Sequence, residues 1–169
     1  MKRTMTRREI HEVYVFMSGA RLANLRKTED KVAVLKVLRE LRYVAVRYED
    51  DAKETNERLM PKGYEERRRK ALAYEEERQS GKQPTAITEA DYMQFLQEQN
   101  DFRKAVNAAM LDIDKAKVEL EYEPVDRGVL EQLMSDCEWT AEQYFRIEEV
   151  MTETKKADEK DRKNRPRRG

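Results

Sequence analysis

Apolar residues recur at helical spacing along most of the chain, and residues that begin and end helices stand where each run starts and stops. Thr6-Arg7-Arg8-Glu9 is a capping-box pattern, in which the Thr hydroxyl takes the Glu9 backbone N–H while the Glu side chain reaches back. Ile10, Val13, Tyr14 and Met17 then share one face, and Ser18-Gly19 reads as a left-handed stop. Residues 20–27 are a short basic connection. Thr28-Glu29-Asp30 puts a cap and two acids at the positive end of the next helix, whose Val34, Leu38, Leu41, Ala45, Tyr48 and Ala52 form a heptad seam. Val32, Leu35, Val37 and Val44 widen that face beyond what one antiparallel partner helix covers, which predicts a homo-oligomer, a dimer before larger assemblies. The second half of this helix is polar, and Pro61-Lys62-Gly63 ends it.

Residues 64–78 read as a helix of mixed charge, followed by the loop Ser80-Gly81-Lys82-Gln83-Pro84. With few apolar members, the 64–83 region is expected to project as a charged helix and loop. Thr88-Glu89-Ala90-Asp91 caps a second long helix carrying Tyr92, Phe95, Leu96, Phe102, Val106, Ala109, Met110 and Ile113, the natural antiparallel partner of the earlier seam. Val118, Leu120 and Tyr122 then alternate with Glu119, Glu121 and Glu123 as far as Pro124. That alternation fits a short strand near 118–123 or a frayed continuation of the helix. Asp126 opens a short helix with Val129, Leu130, Leu133 and Met134, and the capping box Thr140-Ala141-Glu142-Gln143 opens a last one with Tyr144, Phe145, Ile147, Val150 and Met151. Core positions are expected at Leu38, Leu41, Phe95, Phe102, Val106, Met110, Leu133 and Phe145.

The pattern predicts an all-α or nearly all-α fold: two long antiparallel helices, a projecting charged helical region and a small C-terminal helical subdomain, with or without one short strand. Residues 1–153 form a single helical domain in this expectation, and 154–169 a basic flexible tail that folding does not require, because it holds no apolar residue larger than Ala or Pro.

Composition agrees with helix and narrows the chemistry. Of 169 residues 41% are charged and 38% hydrophobic, so the surface is heavily ionised and the core thin. One Cys (Cys137) permits no intrachain disulfide and no Cys-based zinc site, and one His (His11) leaves little acid–base chemistry near pH 7. The expectation is a protein that is not an enzyme and carries no cofactor. No apolar run approaches the roughly 18 residues of a membrane span, and Met1-Lys2-Arg3-Thr4-Met5 leads into an amphipathic stretch rather than a signal-peptide core. A cytoplasmic protein without a membrane partner is expected.

Thirty-five bases balance thirty-five acids, yet the charges are segregated. Residues 21–47 hold eight bases and three acids, as do residues 155–169, whereas 110–153 hold thirteen acids and four bases. Such a two-signed protein can associate head to tail, dock on a partner of opposite sign, or lay its basic face on nucleic acid. Candidate nucleic-acid or anion contacts are Arg21, Arg26 and Lys27 with Arg162, Lys163, Arg165, Arg167 and Arg168 of the tail. No aromatic residue interleaves the tail to stack on bases. Arg67-Arg68-Arg69-Lys70 sits among Glu65, Glu66, Glu75, Glu76 and Glu77 and reads as a self-neutralised helix face. The acids Asp112, Asp114, Glu119, Glu121 and Glu123 lack the glycine turn of an EF-hand and the Glu-x-x-His of a di-iron bundle, and read as a solvated face. His11 reads as a surface histidine and Cys137 as a small half-buried hydrophobe.

The order of segments resembles a known group. Ser18-Gly19-Ala20-Arg21-Leu22 running towards Val34-Leu35-Lys36-Val37-Leu38, a Glu-rich middle, and Val118-Glu119-Leu120-Glu121-Tyr122 followed by two small helices through Tyr144-Phe145-Arg146-Ile147-Glu148-Glu149-Val150 resemble the small helical domain-of-unknown-function proteins of tailed phages and prophages. The resemblance covers about residues 10–151 in order and pattern, and brings no catalytic residues with it. It implies a non-enzymatic phage or prophage protein for binding or assembly, acting through helical surfaces in the bacterial host cell. Two other classes remain open: a nucleic-acid-associated accessory protein using the basic tail, and a phage inhibitor capturing a host protein or an anionic signal molecule. A protein partner is favoured over nucleic acid, because the acidic 110–153 segment repels a polyanion laid along the whole chain.

Overall fold

The computed structural model describes residues 1–135 and 137–153. Along them run β1 (Lys2–Thr6), α1 (Arg7–Ser18), a 3₁₀ turn (Leu22–Asn24), α2 (Thr28–Leu59), α3 (Tyr64–Gln79), α4 (Glu89–Lys115), β2 (Lys117–Glu121), α5 (Arg127–Met134) and α6 (Ala141–Met151). The protein is mostly α-helical with one short strand pair. No helix among the described residues is long and apolar enough to cross a membrane. Both capping boxes form: Thr6 Oγ1 accepts from Glu9 N at 3.2 Å and Thr140 Oγ1 from Gln143 N at 3.2 Å, with the Glu and Gln side chains reaching back. Thr88 and Asp91 make the same reciprocal pair before α4. The stop at Gly19 is not left-handed: its φ is −85°, and the Ala20 N–H that follows closes the last turn on Met17 O at 3.0 Å.

The described residues divide into two compact units, 1–48 with those of 115–153, and Glu49–Asp114. In the first, β2 is a strand, antiparallel to β1, with Met5 opposite Val118 and Arg3 opposite Leu120. Ladder pairing with a segment at the start of the chain is what turns the ambiguous alternation into sheet. Lys2 and Glu119 sit on the outer side of this ribbon, 3.5 Å apart. The core of this unit gathers Ile10, Val13 and Met17 of α1, Val34, Val37, Leu41 and Val44 of α2, Leu120, and Leu130, Leu133, Ile147 and Met151 of α5 and α6. The first half of the α2 seam is therefore covered by several short elements of the same unit. Its apolar arc is wide, and short helices from several directions fill a wide arc better than one parallel rod.

The carbonyls that end α6 need partners from elsewhere. Tyr122 Oη donates to Val150 O at 2.5 Å, Val125 N to Met151 O at 2.7 Å, and Arg3 Nη2 to Thr152 O at 2.6 Å. One expected core residue is corrected: Phe145 is 61% exposed, because α6 buries Tyr144, Ile147, Val150 and Met151 and turns Phe145 outward. His11 is half-buried rather than on the open surface, its ring 4.7 Å from that of Tyr48.

In the second unit α3 packs on α4 through rings. Tyr64 lies 5.5 Å from Phe95 and 5.0 Å from Phe102, and Tyr74 stacks on Tyr92 at 4.6 Å. Gly63, at φ +72°, lets the chain turn from α2 into α3 in a conformation that a side chain resists. Phe95 and Met110 are buried as expected, while Phe102 and Val106 are half-buried.

Candidate functional site

At roughly 100° per residue, the buried side of α2 centres on Val34, Val37, Leu41 and Ala45, and the exposed side carries Val32, Leu35, Lys36, Arg39, Glu40, Arg42, Tyr43, Val46 and Arg47, bases outnumbering the one acid. Those nine side chains are all exposed, with Leu35 at 48% and Tyr43 at 66%. Val32, Leu35, Tyr43 and Val46 make an apolar stripe that runs about 20 Å along the helix. Four cations flank it. Arg47 lies over the Tyr43 ring at 5.5 Å and donates to its hydroxyl at 3.3 Å, which holds the ring in place. Lys36 is 4.0 Å from Glu123, and Arg39 and Arg42 have no ion-pair partner among the described residues. A face built from apolar stems and unneutralised guanidinium groups offers desolvation at its centre and charge pairing at its edges.

A second surface of the first unit has the opposite sign. Phe145 stands on the outer side of α6 with Glu142 three residues before it and Glu149 four after, beside a groove of about 820 Å³ lined also by Pro124, Asp126, Thr152 and Glu153. Some of its acids are engaged: Glu148 pairs with Arg127 at 2.7 Å and Glu142 with Arg146 at 2.9 Å. Arg127 is held above its ordinary pKa by its hydrogen bond to Tyr144 and then by Glu148. Glu149 and Glu153 have no cationic partner among the described residues.

The remaining clefts are satisfied from within. Between β1, α1 and α6 a cleft of about 430 Å³ holds Arg146, which bridges Glu12 and Glu142, and Glu9, whose carboxyl is held below its usual range by the Thr6 backbone N–H and hydroxyl. In the second unit a cleft of about 540 Å³ is lined by the fork of Arg67 on Glu98, at 2.8 and 2.5 Å. Among the described residues no group of three His, Cys, Asp or Glu side chains is placed to hold a metal ion.

Of the residues singled out from sequence, Arg21, Arg26 and Lys27 are exposed. Arg26 and Lys27 share a groove of about 480 Å³ with Asp30 and Asp126, and Asp126 is already engaged as the cap of Gly128 N at 2.8 Å. Arg21 is not part of that groove. Arg162, Lys163, Arg165, Arg167 and Arg168 lie outside the described residues. Lys36, Arg39, Arg42 and Arg47 are countable in the sequence among the bases of residues 21–47, but no local motif gives them a site or marks Tyr43 and Val46. The signal was a second apolar stripe, at 32, 35, 43 and 46, half a turn from the seam. Val37 and Val44, surplus to one partner helix by spacing alone, belong to the core. The chain matches no family model, no curated protein and no solved structure.

Proposed function

We propose that the protein is a non-enzymatic binding or assembly module, encoded by a phage or prophage and acting in the bacterial cytoplasm, whose working surface is the outer face of α2. The observation that carries this is the stripe Val32, Leu35, Tyr43 and Val46 edged by Arg39 and Arg42, exposed along a helix whose other side, at Val34, Val37, Leu41 and Val44, lies in the core. An exposed aromatic set among aliphatic groups and arginines is the composition of a protein-docking centre.

A photo-crosslinking amino acid at Tyr43, in cells expressing the chain, tests this. The expected product is a discrete protein adduct, still formed at about 0.5 M salt, because desolvated contacts are screened less than exposed charges. The same probe at exposed Met93 of the second unit serves as control. Adducts to nucleic acid alone, or none, would overturn the proposal. Nucleic-acid binding is the competing reading, favoured by the unpaired Arg39 and Arg42. It requires affinity for generic duplex that falls steeply with salt.

A further inference from the structure

We infer that the partner of the α2 face is the acidic Phe145 face of a second copy, so that the chain assembles head to tail; this rests on the reading of the protein as an assembly module. The two surfaces complement each other in kind. One offers Val32, Leu35, Tyr43 and Val46 between Arg39 and Arg42; the other offers Phe145, an exposed aromatic anchor, between Glu142 and Glu149, with Glu153 at the edge. Arg39 and Arg42 on one side, and Glu149 and Glu153 on the other, have no ion-pair partner among the described residues, so each surface keeps charge that the other can neutralise. The two cannot meet within one chain. Val34, Val37 and Leu41 of α2 and Ile147 and Met151 of α6 join the same core, so the outer sides of both helices turn away from it.

A symmetric contact of α2 on α2 is disfavoured by the same charges. An antiparallel pair that matched Val32 with Val46 would set Arg39 against Arg39 and Lys36 against Arg42, and like charges across an interface cost energy. A contact between two different surfaces has a further consequence: it leaves one basic and one acidic face open at the ends, and growth continues unless the geometry closes a ring.

Sedimentation velocity on the full chain, from low to high micromolar concentration, is the test. Wild type is expected to shift to larger species with concentration. R39E/R42E, which damages only the basic face, and F145S/E149Q, which damages only the acidic one, are each expected to lose that shift. An equimolar mixture is expected to give a heterodimer that grows no further, because each variant supplies one intact face; that rescue also shows that both variants are folded. A wild type that stays monomeric, assembly that survives R39E/R42E, or variants that do not pair when mixed would each overturn the inference. If Tyr43 meanwhile crosslinks to a different protein, the binding role stands and only self-assembly falls; if Tyr43 gives no protein adduct, the binding role itself fails.

Discussion

The Tyr122 hydroxyl has one partner, the Val150 carbonyl at the end of α6, and the pair is buried. Tyr122→Phe removes the donor and leaves that carbonyl without a partner, which is expected to cost about 1–3 kcal/mol in urea unfolding. Burial also pushes the Tyr122 phenol above its ordinary value of about 10. A raised folded value gives stability that is complete below the unfolded value and lost as pH rises through the folded one. Stability measured from pH 9 upwards is therefore expected to fall in wild type, and to fall less in Tyr122→Phe. Glu9 has the opposite sign. Its carboxyl, lowered by the Thr6 N–H and hydroxyl, contributes above its unfolded value of 4.5 and stops contributing as pH falls through the folded one. Thr6→Ala is expected to cost about 1 kcal/mol at pH 7, and less at pH 3. Both Thr6 and Glu9 were legible in the sequence because a capping box spans only four residues. The partner of Tyr122 was not, since a side chain named as the end of an alternation gives no sign of which helix end it closes.

At the level of the element, α2 has two sides with different work. Leu41 is wholly buried and Leu35 is 48% exposed on the same helix. Leu41→Ala is expected to cost about 2–5 kcal/mol, from lost transfer energy and a cavity. Leu35→Ala is expected to stay within about 0.5 kcal/mol of wild type, as a surface substitution does. Chemical denaturation of both checks the assignment of sides, and near-equal costs would mean that the helix is rotated. The seam was readable from its heptad spacing, but its occupants were not, because α1, α4, α5 and α6 all present apolar faces of suitable period. Choosing among them is a matter of which wide arc is filled most completely.

Across the whole molecule, the two hydrophobic clusters share no residue: Leu41 belongs to one and Phe95 to the other. Combining Leu41→Ala with Phe95→Ala is expected to give a destabilisation equal to the sum of the single effects within about 0.5 kcal/mol, as for sites without common neighbours. A larger deviation in the double-mutant cycle would show that the clusters are coupled. The charge layout belongs to this scale too. A formal net charge of zero conceals a basic segment at 21–47 and an acidic one at 110–153, and folding puts part of each on a surface that also exposes apolar side chains. Segregated charge was countable from the sequence, whereas its coincidence with Tyr43 and Phe145 on outward helix faces was not.

What the sequence determined by itself is the set of helices and most of their limits: the caps at Thr6, Thr88, Asp126 and Thr140, the breaks at Pro61 and Gly81, and the period of α2 and α4. These depend on contacts within about four residues, and such interactions are the same in the peptide and in the protein. Tertiary structure alone decided the rest. Residues 2–6 became a strand because β2 offered them a ladder, although Lys2-Arg3-Thr4-Met5-Thr6 carries no strand signal strong enough to read. Phe145 faces outward because Tyr144, Ile147, Val150 and Met151 fill the space beneath α6 first, and His11 packs on Tyr48 because α1 lies against α2. Each of these outcomes pairs residues far apart in the chain, and their energies depend on burial and on satisfied backbone groups, quantities that exist only once the elements have met.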